Sequence, residues 1–149
     1  MTTTHSLQRA KAAASRVLGE CFGLRVRLLN RAVTSLYDEA LRPHGLTCAQ
    51  FNLLVAIEVA GDRATPSNIA RKLHMGKSTL TRDMTRMVER GWVTRVSLED
   101  LRSHTLGLTP EGRTLLLDTL PAWERAQASV QRLLGDTQAQ AIHRLTRQL

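Results

Sequence analysis

Aromatic residues are scarce in this chain of 149 residues, and long apolar runs are absent. Phe, Trp and Tyr make up 3% of the sequence, so we expect a core of Leu, Val, Ala, Ile and Met, a mixture that favours helices. No apolar run approaches the roughly 20 residues that a membrane-spanning helix needs. The N-terminal stretch MTTTHSLQRAKAAAS lacks the apolar segment of a signal peptide. These absences predict a helical, cytoplasmic protein with no membrane partner.

Cysteine is also rare, and histidine shows no grouping. Cys21 and Cys48 stand at no metal-binding spacing, and neither do the five histidines. A structural disulfide is not expected in a cytoplasmic protein. The sequence contains no Ser-His-Asp constellation, no phosphate-binding glycine loop and no paired acids in a plausible pocket. We therefore expect no metal, no cofactor and no enzymatic activity.

Acidic residues are outnumbered, and the excess positive charge is concentrated. The chain has 21 basic and 13 acidic residues, a net charge of +8 and a pI near 10.9. Between Arg63 and Arg95, eight basic residues are opposed only by Asp83 and Glu89, so this segment holds +6 of the +8. Concentrated charge favours a polyanionic partner, with nucleic acid first and an anionic membrane second. The charge alone does not exclude the alternative that this basic surface is merely solvated and binds no partner.

The N-terminal third of the chain has a helical pattern. Apolar residues recur at three- and four-residue steps over residues 7–42, which predicts one long helix that stops before Gly45. Thr47 and Gln50 then form a predicted capping box, and the helix that follows is expected to end at Gly61.

Two short helices joined by a tight turn are predicted next. Thr65 is the expected N-cap of the first helix, which breaks at residues 74–76. The stretch GKSTLTRDMTRMVERGW predicts the second helix, ended by Gly91 as a C′ glycine. Its predicted buried stripe consists of Leu80, Met84, Met87 and Val88.

The pattern then changes from helix to strand and back. Residues 92–96 and 104–108 predict two strands of a β-hairpin. Thr109 is predicted to cap another helix, in which Pro121 marks a candidate kink. Asp136 is predicted to cap a final helix that runs to the C-terminus.

The element order predicts a mainly α fold with a small β-hairpin wing. Two short helices followed by a hairpin form a winged helix-turn-helix lobe, which the N- and C-terminal helices flank. We divide the chain into residues 1–46 for the N-terminal helix, 47–112 for the winged helix-turn-helix lobe and 113–149 for the C-terminal helices.

The outer sides of the second short helix are candidates for contact with double-stranded DNA. A helix fits the major groove of B-DNA, arginine can bond guanine in bidentate fashion, and short hydroxyl side chains allow close approach. At the hairpin tip, Arg102 is expected to reach into the minor groove, and Asp100 to orient a nearby arginine or to form an ordinary polar turn. The predicted DNA-binding residues are Ser67, Asn68, Lys77, Ser78, Thr79, Thr81, Arg82, Arg86, Arg95 and Arg102.

Two long runs resemble the MarR family of bacterial transcriptional regulators. They are IARKLHMGKSTLTRDMTRMVERGWVTR and EDLRSHTLGLTPEG. The wing of that family typically has Asp-x-Arg, an alternating strand, Leu-Thr and a glycine, which here are Asp100, Arg102, Leu108-Thr109 and Gly112. The stretch LYDEALRPHGLTCAQFNLL is similar to the family's junction between its first and second helices. The resemblance covers the chain from about Cys21 to its end.

The resemblance implies a homodimer in which the terminal helices of two chains interlock as a helical dimerisation region formed by residues 1–46 and 113–149. Each chain then offers one winged DNA-binding lobe, residues 47–112, to a pseudo-palindromic site. It also implies regulation, usually repression relieved by oxidation or by a small-molecule effector bound between the dimer helices and the lobe. The leading hypothesis is a repressor released by a small ligand. The alternatives are a redox-switched regulator that senses peroxide through Cys21 and a non-specific architectural DNA-binding protein.

Cys21 is the residue on which the redox alternative depends. One branch of the family senses organic hydroperoxides through a cysteine near the start of its first helix, and Tyr37 falls at a tyrosine that this branch uses. However, Gly23 occupies the reactive position, and Arg27 replaces the branch's second tyrosine. Cys21 lies two residues early, on another helix face, and is predicted to be a small buried hydrophobe. A nearby arginine that stabilises the thiolate keeps the sensor role open.

Overall fold

The computed structural model describes residues 2–97 and 104–148 and is mainly helical with one antiparallel hairpin, which confirms the predicted fold class. The part of the chain up to Ser35 forms one compact unit, and the part from Leu36 onward forms another. Residues 98–103, with the candidates Asp100 and Arg102, lie outside the described residues. The elements are helices α1 (Thr2–Glu20), α2 (Phe22–Leu41), α3 (Cys48–Ala60), α4 (Pro66–Lys72) and α5 (Lys77–Glu89), strands β1 (Val93–Ser97) and β2 (His104–Leu108), and helices α6 (Pro110–Leu134) and α7 (Asp136–Thr146).

The long N-terminal helix is divided at Cys21, so the prediction of a single helix over residues 7–42 is wrong. The helical hydrogen-bond pattern is kept up to the break, because the Cys21 N–H donates to the Val17 carbonyl at 2.9 Å. Gly19 and Gly23 lie on either side of Cys21. Two glycines so close together weaken a helix, whereas the spacing of the apolar residues is unaffected by them.

Side-chain caps begin helices α3, α4 and α6 as predicted. Thr47 accepts a hydrogen bond from the Gln50 N–H, and the Gln50 side chain accepts one from the Thr47 N–H, both at 3.2 Å. Thr65 accepts from the Asn68 N–H at 3.2 Å, which fixes the first turn of α4. Thr109 accepts from the Gly112 N–H at 3.0 Å at the start of α6. Each cap satisfies a backbone donor that the helix itself leaves unpaired.

The turn between α4 and α5 depends on an unusual backbone conformation. His74 has φ of 50°, in the left-handed region that residues other than glycine rarely adopt. That conformation costs about 1–2 kcal/mol. His74 lies in the short turn that ends α4 and leads into α5.

The hydrophobic core lies in the second unit, and α5 packs on it through one face. Leu80, Met84 and Met87 are buried. Val88 is 36% exposed, so its predicted burial is wrong. At 3.6 residues per turn, Val88 lies about 80° around the helix from Leu80, at the edge of the stripe. The fully buried side chains of this core include Leu41, Leu53, Leu54, Ile57, Ile69, Met87 and Val93.

The hairpin packs against the helices through one end. Its register pairs Val93 with Leu108 and Arg95 with Leu106. The Leu106 N–H donates to the Ala64 carbonyl at 2.8 Å, so the segment before α4 extends the edge of the hairpin. This bond ties the base of the wing directly to the helix-turn-helix.

The C-terminal helices differ from the prediction at their junction. Helix α6 continues through Pro121 to Leu134, and Gly135, with φ of 77°, separates it from α7. Asp136 does not cap α7, because it is the first helical residue and its carboxylate accepts from the Gln131 side chain at 2.9 Å. Its charge still lies at the helix N-terminus, where the helix dipole favours an anion. Helix α7 ends at Thr146, before the predicted end.

Candidate nucleic-acid interface

Opposite its buried stripe, α5 presents a polar face to solvent. Ser78, Thr81, Arg82 and Thr85 are exposed and follow one another at the three- and four-residue steps that place them on one side of a helix. The remaining candidates on α5 are Lys77 and Arg86, which are exposed, and Thr79, which is half-buried. The structure therefore brings the α5 candidates together on one accessible helix.

The threonine hydroxyls on this face are oriented by the helix itself. Thr81 donates its hydroxyl proton to the Lys77 carbonyl, and Thr85 donates to the Thr81 carbonyl, each at 2.9 Å. Each oxygen keeps its capacity to accept a hydrogen bond, and each side chain keeps its methyl group. Against a base edge, such a residue can accept from the amino group of adenine or cytosine and can contact the thymine methyl.

The arginines of α5 make no ion pair with an acidic side chain in the described part of the chain. Over residues 2–97 and 104–148, the single ion pair joins Arg113 to Glu58 at 3.0 Å. Arg82 and Arg86 are one turn apart and exposed, so their guanidinium groups remain available to guanine edges or phosphates. The face has both the hydroxyls and the charge that DNA recognition requires.

The two candidates on α4 have different surroundings. Ser67 is exposed. Asn68 is half-buried, donates to the Arg63 carbonyl at 3.0 Å and accepts from the Arg71 guanidinium at 2.8 Å. These two bonds leave the Asn68 amide one further N–H and one acceptor site. Its contribution to DNA binding remains a prediction, as do those of the other candidates.

On the wing, Arg95 is exposed on β1. It is the wing candidate that the structure describes, since the tip with Asp100 and Arg102 falls outside the described residues. The predicted minor-groove contact of Arg102 and the orienting role of Asp100 therefore stay predictions.

Arg90 has a structural role that sequence reasoning missed. Its guanidinium donates to the Gly45 carbonyl at 2.8 Å and lies over the Trp92 ring, 4.9 Å from the centroid. These contacts fix the C-terminal end of α5 to the corner between α2 and α3 and to the base of the wing. The proximity of Arg90 and Trp92 in sequence is a signal for their contact, but no local pattern points to Gly45.

The surroundings of Cys21 do not favour a redox switch. Cys21 is half-buried rather than fully buried as predicted. Arg25, one of the arginines expected to stabilise its thiolate, donates to the Gly19 carbonyl at 2.7 Å. The Tyr37 hydroxyl donates to the Gln127 side chain, and burial raises the pKa of Tyr37.

Cys48 lies at the start of α3, where its N–H donates to the Asp38 carboxylate at 2.7 Å. Burial, followed by the negative charge of Asp38, raises the pKa of the Cys48 thiol, while a hydrogen bond from Asn52 acts in the opposite direction. A raised pKa keeps the thiol protonated and unreactive near neutral pH.

Neither a metal-binding cluster nor a membrane-spanning helix is present in the described part of the chain. No group of three or more His, Cys, Asp or Glu side chains within it is placed to hold a metal ion. No helix within it is long and apolar enough to span a bilayer.

Comparison with known proteins identifies the family. The MarR family model matches residues 44–103, which include the helix-turn-helix. The multiple antibiotic resistance protein MarR of Salmonella typhimurium is 30% identical over 94 residues, 62% of this chain and 65% of that protein. The regulator PecS of Dickeya dadantii is 32% identical over 92 residues, 60% of this chain and 53% of that protein. The chain thus spans less than two thirds of these curated relatives.

Solved structures are similar over a greater length. The transcriptional regulator MosR of M. tuberculosis, in complex with DNA, is 33% identical and has a TM-score of 0.73, with 86% of this chain and 95% of that chain covered. A mutant MarR from E. coli complexed with operator DNA has a TM-score of 0.77 at 24% identity, covering 89% of this chain and 95% of that chain, and shows the shared fold alone. With the helix-turn-helix matched by the family model and nearly all of MosR covered at this identity, the chain belongs to the MarR family.

Proposed function

We propose that this protein is a dimeric, sequence-specific DNA-binding repressor that leaves a pseudo-palindromic operator when a small ligand binds. The observation that carries the proposal is the outer face of α5, where hydroxyls and unpaired arginines are exposed while Leu80, Met84 and Met87 are held in the core. The relatives are transcriptional regulators rather than enzymes, as predicted for this chain.

In this proposal, α5 enters the major groove and the hairpin lies against the neighbouring backbone. The oriented threonines contact base edges, and Arg82 and Arg86 bond guanine or phosphate. The bond between Leu106 and Ala64 and the contacts of Arg90 hold the wing and α5 as one body. Such rigidity supports base readout, because a reading helix has to be placed accurately in the groove.

The apolar residues of the terminal helices support dimerisation. In the first unit, residues 5–35 include no buried side chain, and Phe22 is 85% exposed. In the second unit, Val130 and Ala139 are buried where α6 and α7 pack within the chain. Leu133 and Leu145 nevertheless remain exposed. Exposed apolar residues in such numbers favour an interface, and a two-fold dimer matches half-sites about one helical turn apart.

The proposals of a small-molecule effector and of a cytoplasmic location rest on the family alone. The MarR resemblance implies a small-molecule effector, and we place the protein in the cytoplasm, where its DNA would be. The redox alternative through Cys21 receives no support from the contacts of Arg25 and Tyr37.

A fluorescence-anisotropy titration tests the proposal. Purified protein is titrated against the intergenic DNA upstream of its own gene and, in parallel, against a scrambled duplex of equal length and composition at physiological salt. The proposal predicts specific binding tighter than non-specific binding by a factor on the order of 10³ or more. Equal affinity for the two duplexes would instead indicate an architectural DNA-binding protein, and absence of binding to both would indicate a basic surface without a nucleic-acid partner.

A further inference from the structure

Arg90 is a basic residue of the helix-turn-helix whose side chain bonds the protein itself. It stands at the C-terminal end of α5, and its guanidinium donates to the Gly45 carbonyl at 2.8 Å. The same group lies over the Trp92 ring, 4.9 Å from the ring centroid. Arg90 therefore joins the end of α5 to two other parts of the lobe, the corner between α2 and α3 and the base of the wing.

The corner that receives this hydrogen bond is held by the core. Leu41 and Leu46 on either side of it are buried, and the Leu46 N–H donates to the Leu41 carbonyl at 3.4 Å. Gly45 has φ of 71°, and a Cβ atom there would lie 3.1 Å from Nη1 of Arg90. Glycine thus permits both the left-handed backbone and the close approach of the guanidinium. The Gly45 carbonyl is consequently a fixed acceptor for Arg90.

The aromatic ring that Arg90 covers is also held in place. Trp92 is half-buried against the core, its N–H donates to the Met87 carbonyl at 3.0 Å, and its carbonyl accepts from the Thr109 N–H at 3.1 Å. A planar guanidinium can stack on such a ring while it donates a hydrogen bond at its edge, whereas a lysine ammonium does not reproduce this geometry. The two contacts together therefore require arginine.

These contacts restrain a motion of α5 that its buried stripe restrains less. Leu80, Met84 and Met87 hold α5 on the core by apolar burial, which is non-directional. A hydrogen bond weakens steeply when its angle changes, so the bond from Arg90 to Gly45 resists rotation of α5 about its axis. Base-edge contacts depend on that rotation because they are hydrogen bonds too, whereas attraction to phosphate charge varies slowly with distance.

We propose that Arg90 is a positioning residue that sets the rotation of α5, and thereby base specificity, without contacting DNA. This role rests on the proposed function, because it requires that α5 read base edges. It distinguishes Arg90 from the other basic residues between Arg63 and Arg95. Loss of its guanidinium lowers the discrimination between sequences, and attraction to any duplex is unchanged as long as the positive charge is kept.

Arg90→Lys tests this role, since it keeps the charge and removes the planar guanidinium. Native and variant proteins are titrated by fluorescence anisotropy against the upstream and scrambled duplexes at several salt concentrations. We expect affinity for the upstream duplex to fall about tenfold, because a charge-assisted hydrogen bond is lost. Affinity for the scrambled duplex and the salt dependence should stay unchanged. Arg125→Lys, at an exposed position on α6, is the matched control and should change neither affinity.

Arg90→Gln separates positioning from contact with a phosphate. If Arg90 bonds a phosphate, Arg90→Lys keeps full affinity, and Arg90→Gln weakens binding to both duplexes equally and lowers the slope of log affinity against log salt by about 0.9. That result would overturn the proposal. Partial unfolding does not imitate the expected result, because it lowers both affinities by the same factor, and circular dichroism measures it directly.

Trp92 reports the contact in the absence of DNA. In a Trp123→Phe background Trp92 is the sole tryptophan, and Arg90→Lys should increase the quenching of its fluorescence by acrylamide, because the guanidinium no longer covers the ring. Unchanged quenching would overturn the contact and the proposal with it. An unchanged affinity ratio in Arg90→Lys refutes the positioning role alone. Equal binding of both duplexes by the native protein refutes the proposed function as well.

Discussion

Most side chains on α5 are either held in the core or exposed to solvent, and the exposed ones include most of the α5 candidates for DNA recognition. Leu80 is 4% exposed, whereas its neighbours Thr81 and Arg82 are both open to solvent. The hydroxyl of Thr81 is bonded to the helix backbone, so base choice at that position depends on a fixed acceptor and a methyl group. Arg82 is exposed on the same face and makes no ion pair with another described residue, which makes it a candidate for contact with a guanine.

Substitution of Arg82 tests base readout by a single residue. We expect Arg82→Ala to weaken binding to the upstream duplex by about 1–3 kcal/mol and to change binding to the scrambled duplex much less. Anisotropy titrations of both duplexes measure the two losses, with Arg125→Ala as a charge-matched control. A loss of the same size on both duplexes would show that Arg82 contacts phosphate alone.

The surroundings of Cys48 predict a change in thiol chemistry. Asp38→Asn removes the negative charge that raises the pKa of Cys48 but keeps an oxygen that accepts from the Cys48 N–H. The thiol pKa should fall, and a larger thiolate fraction at fixed pH should speed alkylation by iodoacetamide. The rate is measured in a Cys21→Ser background, so that Cys48 is the sole thiol.

Asn52→Ala is the opposing variant for the same assay. It removes the hydrogen bond from Asn52 to the Cys48 sulfur, 3.8 Å long, which lowers the thiol pKa. Its alkylation should therefore be slower than that of the Cys21→Ser parent. Rates that move in the same direction in both variants would contradict the assignment of charges around Cys48.

Among the elements, the hairpin and α6 meet at a closely packed junction. A Cβ atom at Gly112 would lie 2.0 Å from the Trp92 carbonyl oxygen. The hydroxyl of Thr109 donates to the Gly91 carbonyl at 2.6 Å, and its N–H donates to the Trp92 carbonyl at 3.1 Å. The first turn of α6 therefore touches the backbone at the base of the wing, with no room for a side chain.

Replacing Gly112 with alanine should destabilise this junction. The new methyl group has to displace backbone rather than a flexible side chain, and we expect the free energy of unfolding to fall by about 1–3 kcal/mol. Chemical denaturation followed by circular dichroism measures the change. Gly19→Ala in α1 is the control: it meets nothing within 4 Å, and alanine favours a helix, so stability should stay the same or rise. An unchanged stability of Gly112→Ala would contradict the packing described.

Local signals in the sequence predicted most element boundaries, and long-range contacts explain what was missed. The caps at Thr47, Thr65 and Thr109 depend on partners three residues away, and each was predicted correctly. The end of α6 at Leu134, before Gly135, was also predicted. The break at Cys21 was not, because it depends on competition between glycine and the helix pattern, which residue spacing does not resolve. The contact of Arg90 with Gly45 joins residues far apart in sequence, where periodicity carries no information.

The candidate site was predicted to a similar extent. Which α5 side chains face solvent follows from helical geometry, and the buried stripe was wrong at Val88 alone, at its edge. The bond from the Asn68 side chain to the Arg63 carbonyl was not predicted, because it depends on how the chain turns before α4 and not on helical spacing.

For the whole molecule, the central prediction is that two copies of the chain form a dimer. Leu145 is 63% exposed on α7 and is a candidate for the proposed dimer interface. We expect Leu145→Glu to shift the protein toward monomer in sedimentation equilibrium, because a charge would be buried without a partner. The monomeric variant should also bind the two-half-site operator more weakly, since each lobe then binds alone.

Val96→Glu provides the control for this experiment. Val96 is 48% exposed on β1, which belongs to the wing and not to a terminal helix. The same charge there should leave the sedimentation profile unchanged. A dimer that survives Leu145→Glu, or one that dissociates equally with Val96→Glu, would place the interface elsewhere.

The contact between Gly112 and Trp92 has a mechanical consequence. Helix α6 begins at this contact and continues for 25 residues, a length of about 37 Å. Because the contact has no slack, the hairpin turns with the helix rather than sliding on it. A tilt of α6 by a few degrees at one end thus becomes a displacement of ångströms at the other. The position of the hairpin therefore depends on the angle at which α6 is held.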